Sequence, residues 1–154
     1  MGSPVSIRDA RLAERESLEE LQRRASLHSS TYRDQLLAHP DAVQLPAEQI
    51  EHGLVRLAEQ AGDIVGFAVL LSAVERACEL DGLFVEPEHW RRGIARLLIE
   101  DTVQIAHARG ATRIDVIANP EAIAFYQRVG FVEGEGAATR FGPARRMRLE
   151  IDRP

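Results

Sequence analysis

Lysine is missing from this sequence, and all 19 of its basic residues are arginine. Schiff-base catalysis, lysine-anchored pyridoxal phosphate and a Walker-type phosphate loop all need a lysine amine, so these chemistries are excluded. Any bound phosphate must instead be held by arginine side chains or by backbone N–H groups. With 24 acidic residues the net charge is -5, which argues against nonspecific binding to nucleic acid.

Cysteine and long apolar runs are scarce as well. Cys78 is the only cysteine, which excludes an intrachain disulfide and a cysteine-based zinc site and favours a reducing, cytoplasmic setting. The 5 histidines show no pairing at metal-ligand spacing, so we expect no metal site. No apolar run approaches the roughly 18 residues that span a membrane, so we expect a soluble protein without membrane contact.

The order of predicted elements indicates the fold class. Hydrophobic periodicity and breaker residues predict helices over 14–27, 34–38, 91–109 and 120–129. They predict strands over 5–9, 54–59, 64–71, 78–85, 113–118, 131–133 and 147–151. Antiparallel strands followed by a β-α-β unit predict an α/β fold whose mixed, mostly antiparallel central sheet carries helices on both faces. Without repeats or linkers, we expect one domain over residues 1–154.

The segment from Glu79 to Arg96 is the most informative part of the chain. It reads as a strand, a proline-marked turn and the start of the longest helix, whose unpaired N–H groups suit an anion. Gly93 and Ala95 are small enough to let phosphate oxygens approach the backbone. The alternative is an ordinary strand-to-helix turn with solvated arginines. Charge-assisted bonds to a phosphate are available from the neighbouring arginines: Arg91, Arg92 and Arg96.

Two motifs carry a resemblance to a known family. Leu83-Phe84-Val85-Glu86-Pro87 followed by Gly93-Ile94-Ala95 resembles the acetyl-CoA-binding motif of the GNAT superfamily of acetyltransferases. Trp90 departs from it, since it stands where the family usually has glutamine or arginine. Asn119-Pro120-Glu121-Ala122-Ile123-Ala124-Phe125-Tyr126, followed by Gly130-Phe131, is similar to the family's second signature, Asn-x-x-Ala-x-x-Phe-Tyr-x-x-x-Gly-Phe.

The resemblance implies a GNAT-like acyl-CoA N-acyltransferase fold and an activity. We expect acetyl-CoA as cosubstrate, no metal, and direct acetyl transfer to a primary amine of a small molecule or a protein N-terminus. A homodimer is a further expectation at the level of the family. The alternative is a module that binds acyl-CoA without catalysis, as a sensor or a partner subunit, because resemblance of fold does not establish activity.

The resemblance also implies roles for particular residues. Tyr126 is expected to act as general acid toward the coenzyme A sulfur, and the Leu83 N–H as oxyanion donor. Asn119 matches a position that can bond the pantetheine arm, although the structural role of a helix N-cap is favoured for it. Cofactor contacts are expected from these positions: Phe84, Val85, Arg91, Arg92, Gly93, Ile94, Ala95, Arg96 and Asn119.

The base and the acceptor pocket are the least constrained parts. Strand alternation predicts that Glu79, Asp81, Leu83 and Val85 share one face, with Gly82 marking a bulge or a close backbone approach. Glu79 matches the family position of a glutamate that helps to remove the amine proton. Asp81 is the alternative base, and either carboxylate could instead orient a cationic acceptor or face solvent. His28 and Tyr32 lie in the stretch where the family's helix pair lines the acceptor pocket.

Overall fold

The computed structural model describes residues 3–28, 33–140 and 142–151, and these contain one seven-stranded sheet. In chain order its strands are β1 Val5–Asp9, β2 Val55–Gln60, β3 Asp63–Leu70, β4 Ala77–Val85, β5 Arg113–Ala118, β6 Val132–Thr139 and β7 Gly142–Glu150. They lie in the order β1-β2-β3-β4-β5-β7-β6. Within this sheet the β4–β5 pair is parallel and its other five pairs are antiparallel, which confirms the predicted mixed, mostly antiparallel arrangement.

Helices pack on both faces of the sheet, as expected. The helices are α1 Arg15–Leu27, α2 Arg33–Ala38, α3 Ala47–Glu51, α4 Ile94–Ala108 and α5 Ile123–Arg128. On one face, α4 contributes Leu98 and Ile99 to a core that also contains Tyr126. On the other face, Leu18 and Leu21 of α1 join a core built on Phe67. The apolar stripes of these helices are therefore buried against opposite sides of the same strands.

Two helices begin three residues later than the sequence predicts. The helix expected from residue 91 begins at Ile94, because Arg91 (φ 65°) and Gly93 (φ 82°) both adopt left-handed backbone. The helix expected from residue 120 begins at Ile123. Residues 120–122 form a turn instead, in which the Asn119 Oδ1 accepts the Ala122 N–H at 3.0 Å. Asn119 thus caps a turn before the helix rather than the helix itself.

The C-terminal hairpin is much longer than predicted. Strands expected over 131–133 and 147–151 are β6 and β7, which together form an extended pair at the edge of the sheet. Nearly every residue of β6 is exposed, including small residues such as Gly134 and Gly136. No alternation of apolar and polar residues could therefore mark it.

The strand β4 contains a bulge. Val69 pairs with Gly82 but Leu70 pairs with Leu80, so Asp81 is an extra residue on β4. Gly82 is expected to mark a bulge or a close backbone approach. The structure has a bulge directly before it, and this bulge reverses the alternation of side chains. Leu80 and Leu83 consequently pack into the same core.

The predicted common face of Glu79 with Leu83 and Val85 is wrong for this reason. Leu83 and Val85 pack with Leu80 against the α4 side of the sheet. Glu79 precedes Leu80 directly and therefore projects to the opposite, α1 side. Because Asp81 is inserted, residues before and after it that simple alternation assigns to one face lie on opposite faces of the sheet.

Residues 3–28, 33–140 and 142–151 contain neither a candidate membrane-spanning helix nor a metal-binding cluster. No helix in these ranges combines the length and the apolar character that crossing a membrane requires. No group of three or more His, Cys, Asp or Glu side chains in the same ranges is placed to hold a metal ion.

Candidate active site

The two parallel strands separate at the middle of the sheet. β4 pairs with β5 only from Ala77 to Leu80, opposite Arg113 to Val116. Beyond Leu80 and Val116 the pairing ends, while β4 continues to pair with β3 as far as Val85. A cleft of about 850 Å³ opens between the separated halves. The bulge at Asp81 lies where the separation begins, as expected of a feature that bends one strand.

Backbone groups of β4 face this cleft. The Glu86 N–H donates to the Val65 carbonyl of the β3 side at 2.8 Å. Backbone groups alternate between the two sides of a strand. Gly82 and Phe84 therefore direct theirs toward β3, whereas Leu83 and Val85 direct theirs toward the cleft. A row of amide donors and acceptors is consequently available to an extended ligand that itself carries amides.

Side chains of the same strand close the walls of the cleft. Leu83 is half-buried against the α4 side and Val85 is buried there. Phe84 points to the other side, where its ring lies 5.3 Å from that of Phe67, centroid to centroid. Apolar side chains thus flank the backbone groups that face the cleft. This apolar surrounding strengthens any hydrogen bond that these groups form with a ligand.

One end of the cleft is shaped for an anion. Left-handed backbone at Arg91 and Gly93 curves the loop of residues 91–93 before α4, which we call the anion loop. Such loops turn successive backbone N–H groups inward. Ile94 and Ala95 begin the helix, where the first N–H groups have no intrahelical acceptor. Both residues line the cleft.

Arginine side chains surround this loop. Arg91 and Arg96 line the cleft, and Arg92 is exposed beside them. Within the part of the chain that the structure describes, none of these three forms an ion pair. Their positive charge is therefore available to a bound anion, and the residues present fit the phosphates of a coenzyme A group.

Tyr126 lines the cleft from α5 and is 6% exposed. Its ring lies edge-on to Phe125 and Phe131, at centroid distances of 5.3 and 5.2 Å. Burial raises the pKa of Tyr126 well above its ordinary value, because a buried phenolate is poorly solvated. The hydroxyl therefore stays protonated at neutral pH and can donate a hydrogen bond. Asn119 lines the cleft nearby, with its Oδ1 already engaged by the Ala122 N–H.

The structure separates the two candidate bases. Asp81 is exposed at the bulge and lines the cleft. Glu79 is half-buried, lies opposite Asp115 of β5 and is not among the residues that line the cleft. Glu79, which matches the family's sequence position, thus lies farther from the cleft than Asp81 at the bulge.

The end of α1 forms another wall of the cleft. His28 lines the cleft together with Ala25 and Ser26. One turn earlier, Arg24 makes two hydrogen bonds of 2.8 Å to the Glu86 carboxylate, which holds the pKa of Glu86 below its ordinary value. Tyr32, the other expected acceptor residue, lies outside the described residues.

Several lining residues had not been expected from the sequence: His89, Trp90, Glu121, Phe125 and Arg128. Trp90 donates from its Nε1 to the Val85 carbonyl at 2.7 Å, and its ring lies edge-on to His28 at 5.5 Å. The only signal for Trp90 was its departure from the motif. Phe125 and Glu121 lie inside the second motif, but spacing alone did not show which of its side chains face a ligand.

Comparisons with known proteins agree with this geometry. The model of the acetyltransferase (GNAT) family matches residues 16–131, and the chain therefore belongs to that family. An uncharacterized N-acetyltransferase of Methanocaldococcus jannaschii, MJ1207, is 34% identical over 86 residues. That match covers 50% of this chain and 38% of the relative, so the chain spans well under half the length of this curated protein.

Solved structures share the fold at low sequence identity. The PaiA N-acetyltransferase of Thermoplasma acidophilum, solved in complex with coenzyme A, has a TM-score of 0.76 and 18% identity, covering 96% of this chain and 99% of its own. YncA of Salmonella typhimurium, solved with its cofactor acetyl-CoA, has a TM-score of 0.71 and 20% identity, covering 99% and 96%. The resemblance inferred from the two motifs is confirmed.

Proposed function

We propose that residues 1–154 form a single-domain, acetyl-CoA-dependent N-acetyltransferase that transfers acetyl directly to a primary amine. The observation that carries the proposal is the separation of β4 from β5, with backbone groups of β4 facing the cleft and an arginine-flanked anion loop at one end. Family membership and relatives solved with coenzyme A or acetyl-CoA support it. The acceptor is a small molecule or a protein N-terminus.

The residues that hold acetyl-CoA divide by the part of the ligand they suit. The N–H groups at Gly93, Ile94 and Ala95 and the three neighbouring arginines, Arg91, Arg92 and Arg96, bind the phosphates. Backbone groups of Val85, with Phe84 and Asn119 also lining the cleft, accommodate the pantetheine arm. The bound thioester supplies the acetyl group.

Three groups of this chain then act at the reacting atoms. The Leu83 N–H donates a hydrogen bond to the acetyl carbonyl oxygen and stabilises the charge that develops there. A carboxylate accepts a proton from the ammonium form of the acceptor, which leaves a neutral amine to form the new C–N bond. Tyr126 donates its hydroxyl proton to the sulfur as the C–S bond breaks, so that coenzyme A leaves as the thiol. The second proton of the amine, released as the amide forms, restores the Tyr126 hydroxyl.

Asp81 and Glu79 are both proposed as the carboxylate, and the cleft favours Asp81. Asp81 lines the cleft, whereas Glu79 lies on the other side of the strand beyond the bulge. The acidic groups at Asp81 and Glu79 favour a cationic acceptor, and His28 lines the cleft on the expected acceptor side.

Substitution of Tyr126 tests the enzymatic proposal. Tyr126→Phe keeps the ring and removes the proton donor, so we expect kcat to fall by about 10²-fold or more while binding of acetyl-CoA is retained. Release of free thiol over a panel of amines, with products identified by mass, measures this. Asp81→Asn and Glu79→Gln, compared side by side, should show which carboxylate moves the pH profile of kcat. Unchanged turnover in all three variants would refute the mechanism.

The same panel separates an enzyme from the non-catalytic alternative. An acyl-CoA sensor or partner subunit would bind acetyl-CoA yet release no thiol with any amine. We also propose a cytoplasmic setting, without nucleic-acid or membrane partners, and a homodimer. Sedimentation of the purified chain tests the homodimer.

A further inference from the structure

Trp90 is the single tryptophan of the chain, and its side chain sits between the anion loop and β4. Its Nε1–H donates to the Val85 carbonyl at 2.7 Å. The indole also lies edge-on to His28 at the end of α1, with ring centroids 5.5 Å apart. At 44% exposure it is one of the exposed large hydrophobic side chains of the molecule. Trp90 thus contacts both β4, which faces the proposed cofactor, and the end of α1, which we call the acceptor wall.

The carbonyl that Trp90 engages belongs to the row that faces the cleft. Because Val85 directs its backbone groups away from β3, its oxygen is one of the acceptors available to an amide-bearing ligand. An indole offers only one N–H donor and no acceptor or charge. Trp90 therefore adds no charge for a phosphate, and the hydrogen bond it makes is to Val85. The N–H groups of a pantetheine arm need an acceptor of the same kind.

We propose that Trp90 sets the affinity for acetyl-CoA by competing for the Val85 carbonyl. On this inference, which rests on the proposed function, the indole gives up the Val85 oxygen when acetyl-CoA binds and moves away from its position against His28. At 44% exposure, the Trp90 side chain is free to turn toward solvent. Because His28 lines the acceptor wall, binding of the first substrate alters the surface that receives the second.

A substitution that removes the N–H donor tests the competition by the sign of the change in Kd. Trp90→Phe keeps an aromatic ring but removes the donor, so we expect the Kd for acetyl-CoA in calorimetry to fall by about 3- to 10-fold, the scale of one net hydrogen bond. If the indole instead stayed in place and supported the site, its replacement would raise the Kd for acetyl-CoA. A Kd that rises or stays the same in Trp90→Phe, with an unchanged melting temperature, overturns the inference.

Fluorescence of the unmodified chain gives a second, independent readout. Tryptophan emission responds to solvent and to hydrogen bonding, so titration with acetyl-CoA should change it in a saturable way that matches the calorimetric Kd. The control is the double variant Trp90→Phe/Val74→Trp, which moves the single tryptophan to a 71% exposed residue that is bridged to Ala77 at the far end of β4. Its emission should not change.

The outcomes separate this inference from the function it rests on. If calorimetry shows that acetyl-CoA binds but the emission of Trp90 stays constant, or changes equally in the control, the competition is refuted while the proposed function stands. If calorimetry shows no binding of acetyl-CoA at all, the proposed function fails and the inference fails with it.

Discussion

The geometry of the cleft depends on Gly66 of β3, although Gly66 is not one of the residues that line the cleft. A Cβ at this position would lie 2.9 Å from the Phe84 carbonyl oxygen and 3.3 Å from Leu98 Cδ1. The nearer atom is backbone of the strand that carries Leu83 and Val85, so it cannot yield without moving that strand. We therefore expect Gly66→Ala to lower the free energy of unfolding by about 1–3 kcal/mol. It should also weaken binding of acetyl-CoA.

Gly136→Ala is the matched control for that substitution. Its added Cβ would meet only the Ala144 carbonyl, at 4.0 Å, which is an ordinary contact distance. Gly136→Ala should therefore leave the free energy of unfolding within about 0.5 kcal/mol or raise it slightly. Urea denaturation and calorimetry with acetyl-CoA measure both variants. Equal losses in the two would show that close packing at Gly66 does not position β4.

The side chains of the site illustrate what a sequence can specify at the scale of the residue. Gly93, Ala95 and Tyr126 occupy motif positions, and all three line the cleft. The relation between Glu79 and Asp81 could not be predicted, because one extra residue in a strand exchanges its two faces. Gly82 indicated a bulge, but the residue at which the register shifts depends on pairing with β3, a long-range interaction that local periodicity does not contain.

At the scale of elements, α1 is fastened to the end of β4 by a charged contact. Arg24 makes two hydrogen bonds to Glu86, and their side chains are 51% and 16% exposed. A double-mutant cycle with Arg24→Gln and Glu86→Gln should give a coupling of about 0.5–1 kcal/mol, the upper range for a partly exposed pair. The coupling should shrink as salt screens the two charges.

The pH dependence of that coupling follows from the pKa of Glu86. Arg24 lowers this pKa in the folded state, so the stabilisation is present above the ordinary pKa of glutamate and is lost as pH falls through the lowered value. The cycle repeated in acid should therefore give a smaller coupling. The ion pair between Arg113 and Asp115 serves as a comparison, because both residues belong to one strand and the pair connects no two elements. A coupling that persists in acid and high salt would contradict an electrostatic origin.

Elements were predictable where burial imposes a period and unpredictable where it does not. The long helix α4 has a continuous buried stripe, including Leu98 and Thr102, and its existence was evident from the sequence. Its start was displaced because a non-glycine residue, Arg91, takes up left-handed backbone, which no side-chain pattern reports. β6 has no buried stripe at all. Its strand conformation comes from pairing with β7 rather than from its own residues.

On the scale of the whole molecule, the sheet divides the interior into two cores. The order of elements was enough to predict this class, because antiparallel strands and one β-α-β unit leave few ways to cover both faces. The absence of lysine has its consequence at the same scale. Since arginine is the only basic residue, the chain can place strong positive charge around its anion loop only with guanidinium groups, and Arg91, Arg92 and Arg96 supply them.

The separation of the two cores predicts how core substitutions combine. Ile99 of α4 is 3% exposed in one core and Ile50 of α3 is 6% exposed in the other. Ile99→Val and Ile50→Val should each cost about 0.5–1.5 kcal/mol of unfolding free energy. Because they share no cluster, the double variant should equal their sum within about 0.5 kcal/mol, with one urea transition and an unchanged slope.

A pair within one core provides the comparison. Ile114 is fully buried in the same cluster as Ile99, so Ile114→Val combined with Ile99→Val should depart further from additivity than the pair on opposite faces. Relaxation around one lost methyl group changes the packing available to the other in a shared core. The double variant on opposite faces could instead deviate from the sum of its single variants by more than the double variant within one core. Strain would then be transmitted through the strands. The sheet would then not insulate the acceptor side from the α4 side.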